Sequence, residues 1–498
     1  MQWAWLDTGI EPFDLRLQEE PGGLALVADQ LDLAPLRKLA GSLTLLPGEA
    51  VRALENYRPS GYLDDLYLQL PEDPSQFRLT TRLRDISVQA FEGAPGGSGV
   101  HGHLQLDAQG GFIELDSAHP ATIGFPQLFN TDWAVTKPTG RVAWQLNGPI
   151  TRVYADDLSM IYRDNTRLTG AFDLRLDQHG EDNLGLRVGV KNADASRIGE
   201  FVPAKVVNED LYRWLTDSIG GGRVTEGEYY GHGRIDRKAP NGSFTSSMWY
   251  EFEGGQVRYD PAWPEATNVA GRVQVHNESA FITLENGRTG GLATGPVDVE
   301  LIPGAGSESS VLKVQASPKA SGADVSWWLA NTPLGAWSGE TLQQAEITGD
   351  YQLALNLGIP LSEGVEPTVQ VRAQTDNGGF RLPGNGIGWS GINGDVTYPT
   401  GNGFSGDPIR ASFLEQPVAV ELAAANNGQA LDIRQTGRLP MPEFLWQMGV
   451  DDTRTLNMAG TLDYQASVRV GDTRQPKVNL QSDLSGLALD WPEPLGKS

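Results

Sequence analysis

A glycine followed by residues that alternate polar and apolar recurs along this chain. Copies are Gly102-His103-Leu104-Gln105-Leu106, Gly140-Arg141-Val142-Ala143-Trp144 and Gly170-Ala171-Phe172-Asp173-Leu174. Gly271-Arg272-Val273-Gln274-Val275, Gly349-Asp350-Tyr351-Gln352-Leu353, Gly394-Asp395-Val396-Thr397-Tyr398 and Gly460-Thr461-Leu462-Asp463-Tyr464 continue the series. Successive side chains on a strand point to opposite faces, so each copy predicts a strand with one apolar and one wet face. The glycine suits a bend or bulge where the chain enters a sheet. One wet face and one dry face mark an antiparallel sheet, and the dry face must be covered. A second sheet would give a sandwich. A long sheet folded lengthwise into a trough, covered by a ligand, is the other solution, and periodicity alone leaves both open.

Composition narrows the class. A chain of 498 residues is too long for one compact globule around a single core. With 13 Trp, 15 Phe and 13 Tyr it is not a disordered polymer. The net charge of −25 argues against a nucleic-acid surface and against adsorption to an anionic bilayer through a basic face. The absence of cysteine excludes disulfides, thiolate metal sites and cysteine nucleophiles, and fits an extracytoplasmic setting. Leu24–Ala28 is the longest apolar run near the start, far short of the ~20 residues that cross a bilayer as a helix. Met1–Asp7 lacks the basic start and apolar core of a signal peptide. The last residues, Trp491–Ser498, follow a strand pattern with nothing to cap it, so the expectation is an internal piece of a longer protein.

Helical periods interrupt the strands. Residues 1–30 read as two strands, and a helical insert is expected over 30–58. There Asp32 caps a helix carrying Leu33, Leu36, Leu39, Ala40 and Leu43, and a second helix from Pro47 carries Val51, Leu54 and Tyr57 before Pro59-Ser60-Gly61. Strands resume at Tyr62–Leu70 and Phe77–Val88. A second insert over 194–222 has Asn208 as N-cap, Leu211, Leu215 and Ile219 one turn apart, and Gly220-Gly221-Gly222 as its stop. From 223 to 498 the strands continue, with short helices near 324–331 and 442–448. No linker or charge block divides the chain, which reads as one continuous β-architecture over 1–498.

Motifs for chemistry are weak. His101 and His103 share a strand face, but no third ligand is spaced to join them, so no metal is expected. Asp156-Asp157 and Asp451-Asp452 face apart on a strand and read as turns. Gly384-Asn385-Gly386-Ile387-Gly388 lacks dinucleotide spacing, and Gly388-Trp389-Ser390-Gly391 lacks that of a nucleophile elbow. The expectation is a protein that is not an enzyme and carries no cofactor.

Several ordered motifs then give a resemblance. Phe201-Val202-Pro203, Leu211-Tyr212-Arg213-Trp214-Leu215, Gly221-Gly222-Arg223-Val224-Thr225-Glu226-Gly227 and Gly233-Arg234-Ile235 are among them. Gly110-Gly111-Phe112 precedes them, and Val257-Arg258-Tyr259-Asp260-Pro261-Ala262-Trp263-Pro264 and Leu487-Ala488-Leu489-Asp490-Trp491-Pro492 follow. The sequence resembles the YhdP-type branch of the AsmA-like family across most of residues 30–498. The resemblance implies a mainly β fold: a long twisted antiparallel sheet folded into an open trough with a few short α-helices. It implies a Gram-negative envelope protein, anchored in the inner membrane and extending through the periplasm. Such a protein would pass phospholipid between inner and outer membranes, and would meet those membranes through parts missing from this chain. The strand faces expected to line the groove include Val273, Val275, Ile282, Leu284, Val299, Leu301, Tyr351, Leu353, Leu355, Val418, Val420, Leu422, Leu462, Tyr464 and Val468. The competing expectations are an envelope structural or assembly factor whose dry face is closed by protein, and a carbohydrate-active β-protein with a carboxylate pair.

Overall fold

The computed structural model describes residues 2–3, 13–35, 48–73, 76–163, 165–304, 310–332, 345–361, 365, 367–381, 388–399, 405–425, 430–447, 449–450, 458–470, 477–491 and 496–497. Alternation dominates these residues: 31 strands are found among them, and each registered pairing is antiparallel. The chain forms two compact units, one of residues 1–253 with 274–277, the other of 254–273 with 278–498.

In the first unit the strands run as a meander with one interruption. The long strands Gly96–Asp107 and Ile150–Tyr162 are separated by two half-width tracks. One track is Gly110–Leu115 paired to Arg141–Asn147, and the other is Ala121–Gly124 paired to Trp133–Thr139. Gly140 lets the chain step between the tracks, at φ +121° and against the Asp157 carbonyl. Opposite it, Asp156-Asp157 form a bulge in Ile150–Tyr162, where pairing jumps from Ala155 to Leu158. The turn expected at this acidic pair is therefore a bulge: the ladder continues on both sides of it.

Antiparallel pairing gives each unit two rims. In the first unit one rim carries tight turns, at Glu20–Gly23, Asp107–Gly110, Asn147–Ile150 and Asp177–Asn183. Asx contacts shape these turns: the Asp107 carboxylate accepts from the Gln109 and Gly110 amides, and Asp177 accepts from His179. The other rim carries the helical segments Gly48–Tyr57, Ala195–Phe201 and Glu209–Ser218. In the second unit the helices Gly322–Asn331 and Met441–Gln447 also fall on one rim, which there carries the tight turn Phe413–Gln416 as well. We call these the hairpin rim and the helical rim.

Caps explain the helices. Asn208 accepts from the Asp210 and Leu211 amides, as its spacing predicts. Ser321 and Asp324 form a reciprocal capping box, starting that helix at Gly322, two residues before the expected point. Of the first expected helix only residues 33–35 are described, and they are helical; Leu36, Leu39, Ala40 and Leu43 lie outside the described residues. Gly220–Gly222 do not stop the Glu209–Ser218 helix. They open the strand Ile219–Arg234, whose ladder with Asn183–Asp194 takes over the backbone hydrogen bonds.

Candidate functional site

Residues directly opposite each other in an antiparallel ladder share a face. In the first unit one cross-strand row runs Leu17, Leu26, Leu68, Leu79, Leu106, Gly111, Trp144, Val153, Leu174 and Leu184. Nine strand spacings at about 4.8 Å give an apolar track of roughly 43 Å. Two glycines of the next strand are overlain by aromatic rings: a Cβ at Gly227 would strike the Tyr250 ring, and one at Gly231 the Phe244 ring. The Tyr250 hydroxyl is pushed up to about 12 by burial. This is the dry face the alternation predicts, paved partly with aromatic rings laid across glycines.

The opposite face is ionic. In the first unit Arg16–Asp29, Arg141–Glu114, Arg152–Asp173 and Lys191–Glu226 are exposed ion pairs, and in the second unit Arg372–Asp395 and Arg469–Asp432 lie on the face opposite its own apolar rows. Each contributes at most about 1 kcal/mol, so together they solvate this face more than they hold it.

Coverage of the dry face is uneven. Along Thr166–Asp177, Leu168 at the helical rim is 6% exposed and Leu176 at the hairpin rim 38%. Along Gly23–Asp32, Leu31 is 6% exposed and Leu24 42%. Between the rims the track residues Leu26, Leu68, Leu79, Leu106, Trp144, Val153, Leu174 and Leu184 are half-buried. The helical rim is closed by protein. Val135, Tyr162 and Leu168 are buried there, with Trp133 and Phe201 packed on them. Glu200 ties the cover down: it accepts from the Tyr162 hydroxyl at 2.6 Å and from Arg163 at 2.8 Å, while the Trp133 indole donates to its backbone carbonyl. Burial pushes the Glu200 carboxyl up, but the Tyr162 and Arg163 hydrogen bonds outweigh it and hold the group below the ordinary glutamate value.

Most of the residues singled out from sequence lie in the second unit. Ile282, Val299, Val314, Leu357 and Val369 form one row; Leu284, Val297, Ala316, Leu355, Val371 and Tyr398 form the next. Leu301 pairs with Leu312, Leu353 with Ala373, and Tyr351 with Ala320. Ile282, Leu284, Val299, Leu301, Tyr351, Leu353 and Leu355 are all half-buried, as are Val273 and Val275 on the strand Ala266–His276.

Val418, Leu462 and Tyr464 have a different environment. They belong to a buried cluster with Ala411, Phe413, Leu439 and Leu487, on which Val420, Trp389, Met441 and Phe444 pack. A polar node sits inside it. Gln435 Oε1 accepts from the Trp389 indole at 2.7 Å, and Gln435 Nε2 donates to the Tyr464 hydroxyl. Leu422 and Val468 both pair with Ile433, just outside this cluster. The 15 positions therefore divide into half-buried track residues and residues of, or against, a closed core.

Sequence reasoning left the first-unit track out of the groove list, although Leu104/Leu106, Val142/Trp144 and Phe172/Leu174 carry the same alternation. It had no signal for the Gln435 node, a glutamine at a position whose ladder partners are Val420 and Ala466.

The histidines form no ligand set. The His101 ring stacks on His119, centroids 3.9 Å apart, and burial with the His119 charge lowers the His101 pKa. Among the described residues no group of three or more His, Asp or Glu side chains is placed to hold a metal. Gly384–Ile387 and Asp451-Asp452 lie outside the described residues, and Gly388–Gly391 begin the strand Gly388–Pro399. No described helix is long and apolar enough to cross a membrane.

A family model described as "YhdP protein" matches residues 5–498. The chain is 22% identical over 493 residues to the "Intermembrane phospholipid transporter YhdP" of Escherichia coli (strain K12). The match covers 95% of this chain and 37% of that protein, so the chain spans little more than a third of its relative's length. No solved structure matches the chain.

Proposed function

The chain belongs to the YhdP family, and from that premise we propose that it is one segment of an envelope protein that carries phospholipid between inner and outer membranes. In this reading the protein is a carrier and not an enzyme: no bond is made or broken. The acyl chains lie on the apolar face within a trough, in the periplasm, and the membrane anchor and protein partners belong to other parts of the whole protein.

The observation that carries the reading is a continuous apolar row, from Leu17 to Leu184, whose interior members stay half-buried. A sandwich would bury such a row against a second sheet. Acyl chains supply the missing cover: at about 0.8 kcal/mol per buried CH₂, about 15 methylenes contribute on the order of 12 kcal/mol. A row of like residues also lets a chain slide, because each step exchanges one set of aliphatic contacts for an equivalent one.

The assembly-factor reading is favoured at one place, the Leu439 cluster, where protein already fills the dry face. The test is titration of the purified chain with a fluorescent-acyl phospholipid. The groove reading expects saturable binding that weakens at least several-fold in Leu174→Asp and Leu353→Asp while the β-sheet circular dichroism is kept. Binding unchanged by both substitutions overturns it.

A further inference from the structure

Resting on the groove reading, we infer that the two rims are not equivalent: phospholipid enters and rides with its headgroup at the hairpin rim and its acyl tails toward the helical rim. Three observations carry this. The first is the gradient of exposure along two strands of the first unit, from Leu168 to Leu176 and from Leu31 to Leu24, in both cases drier toward the helical rim. Leu24, Leu70, Leu146 and Leu176 form an apolar lip beside the tight turns and are all exposed. Leu24 and Leu70 are ladder partners, and Leu146 and Leu176 both oppose Thr151, so the lip lies on interior strands and is not an edge-strand effect.

The second observation is the fixed cover at the other rim. Phe201 packs on the buried Tyr162 and Leu168, and Glu200 locks that segment to Tyr162 and Arg163. A headgroup phosphate there would lose its water and have to displace the packed Phe201.

The third is charge. The protein carries −25, yet the hairpin-rim connection between Arg234 and Ser243 places Arg237 and Lys238 in the open. Among the described residues neither forms an ion pair, whereas Arg234 beside them is held by Glu181 and Asp236. Two available cations on the rim that carries Leu176, two strands along, match a phosphodiester above two acyl chains.

The experiment uses two photoreactive phospholipids on the unmodified chain, one with a diazirine in the headgroup and one with a diazirine at the acyl terminus. Labelled peptides are mapped by mass spectrometry. The headgroup probe is expected to label the turns at 107–110, 147–150, 177–183 and 235–243 over residues 195–201 by on the order of tenfold or more, because a charged group does not enter the dry rim unpaired. The tail probe is expected on the half-buried apolar residues next to the closed rim, Met160, Phe172 and Leu186. Headgroup labelling that is equal at both rims, or reversed, overturns the rim assignment while leaving the groove intact. Failure of the tail probe to label the apolar face at all overturns the groove reading itself, and this inference with it.

Discussion

The track around Leu174 and the cluster around Leu439 are built from the same sequence pattern and end in opposite states. Both are apolar positions on one-faced antiparallel strands. Leu174 sits in a row of half-buried side chains with nothing from its own unit fully covering it. Leu439 is 1% exposed, paired with Leu462 and packed in a core that Met441 and Phe444 complete. What differs is the connection that follows. Thr166–Asp177 passes through a short turn into Asn183–Asp194, whereas Ala430–Pro440 runs straight into the helix Met441–Gln447, which folds back onto the sheet. Alternation makes a dry face; the adjoining connection decides whether protein closes it.

Substitutions can break this contrast. Leu439→Ala is expected to cost about 2–5 kcal/mol, the range for emptying a closed core site, read as a lowered urea midpoint. Gln435→Leu leaves the Trp389 indole without its acceptor, and about 1–3 kcal/mol of destabilisation is expected from the same measurement. Leu174→Ala in lipid-free protein should cost less than Leu439→Ala, about 1–2 kcal/mol, because part of the Leu174 side chain is still in contact with water and no closed cavity is left behind. Equal costs at Leu439 and Leu174 would show the two regions to be equally closed.

The smallest effect concerns pH. The folded-state pKa of Glu200 lies below its unfolded value, so the stability it contributes is full above the unfolded pKa and is lost as pH falls through the folded one. Protection of the Ile198–Phe201 amides against hydrogen exchange should therefore fall below about pH 4.5, the unfolded glutamate region. Glu200→Gln should remove that pH dependence; a pH profile that persists in this variant would assign it to another group.

Much of the fold was legible because its signals are local. Period-two alternation marked the strands, Asn208 marked a helix start, and the aromatic run Trp327-Trp328-Leu329 marked the helix that Ser321 caps. The bulge at Asp156-Asp157 was not legible, since it depends on how Gly140 meets the opposite strand. The difference between the rims was equally hidden. It follows from which strand ends the pairing brings together, and a single strand such as Thr166–Asp177 reads the same in either direction. The division of the expected groove residues has the same cause: Leu462 and Leu353 have similar neighbours in sequence, and it is packing from distant parts of the chain, Phe413, Leu487 and the helix Met441–Gln447, that closes the environment of Leu462.

Native mass spectrometry of the purified chain, followed by organic extraction and lipid analysis, tests the central claim most directly. The account predicts phospholipid bound to the folded chain, with amounts that fall in Leu174→Asp and stay unchanged in a Leu439→Ala protein that remains folded. A folded wild-type chain that carries no lipid and takes none up from phospholipid vesicles would contradict it.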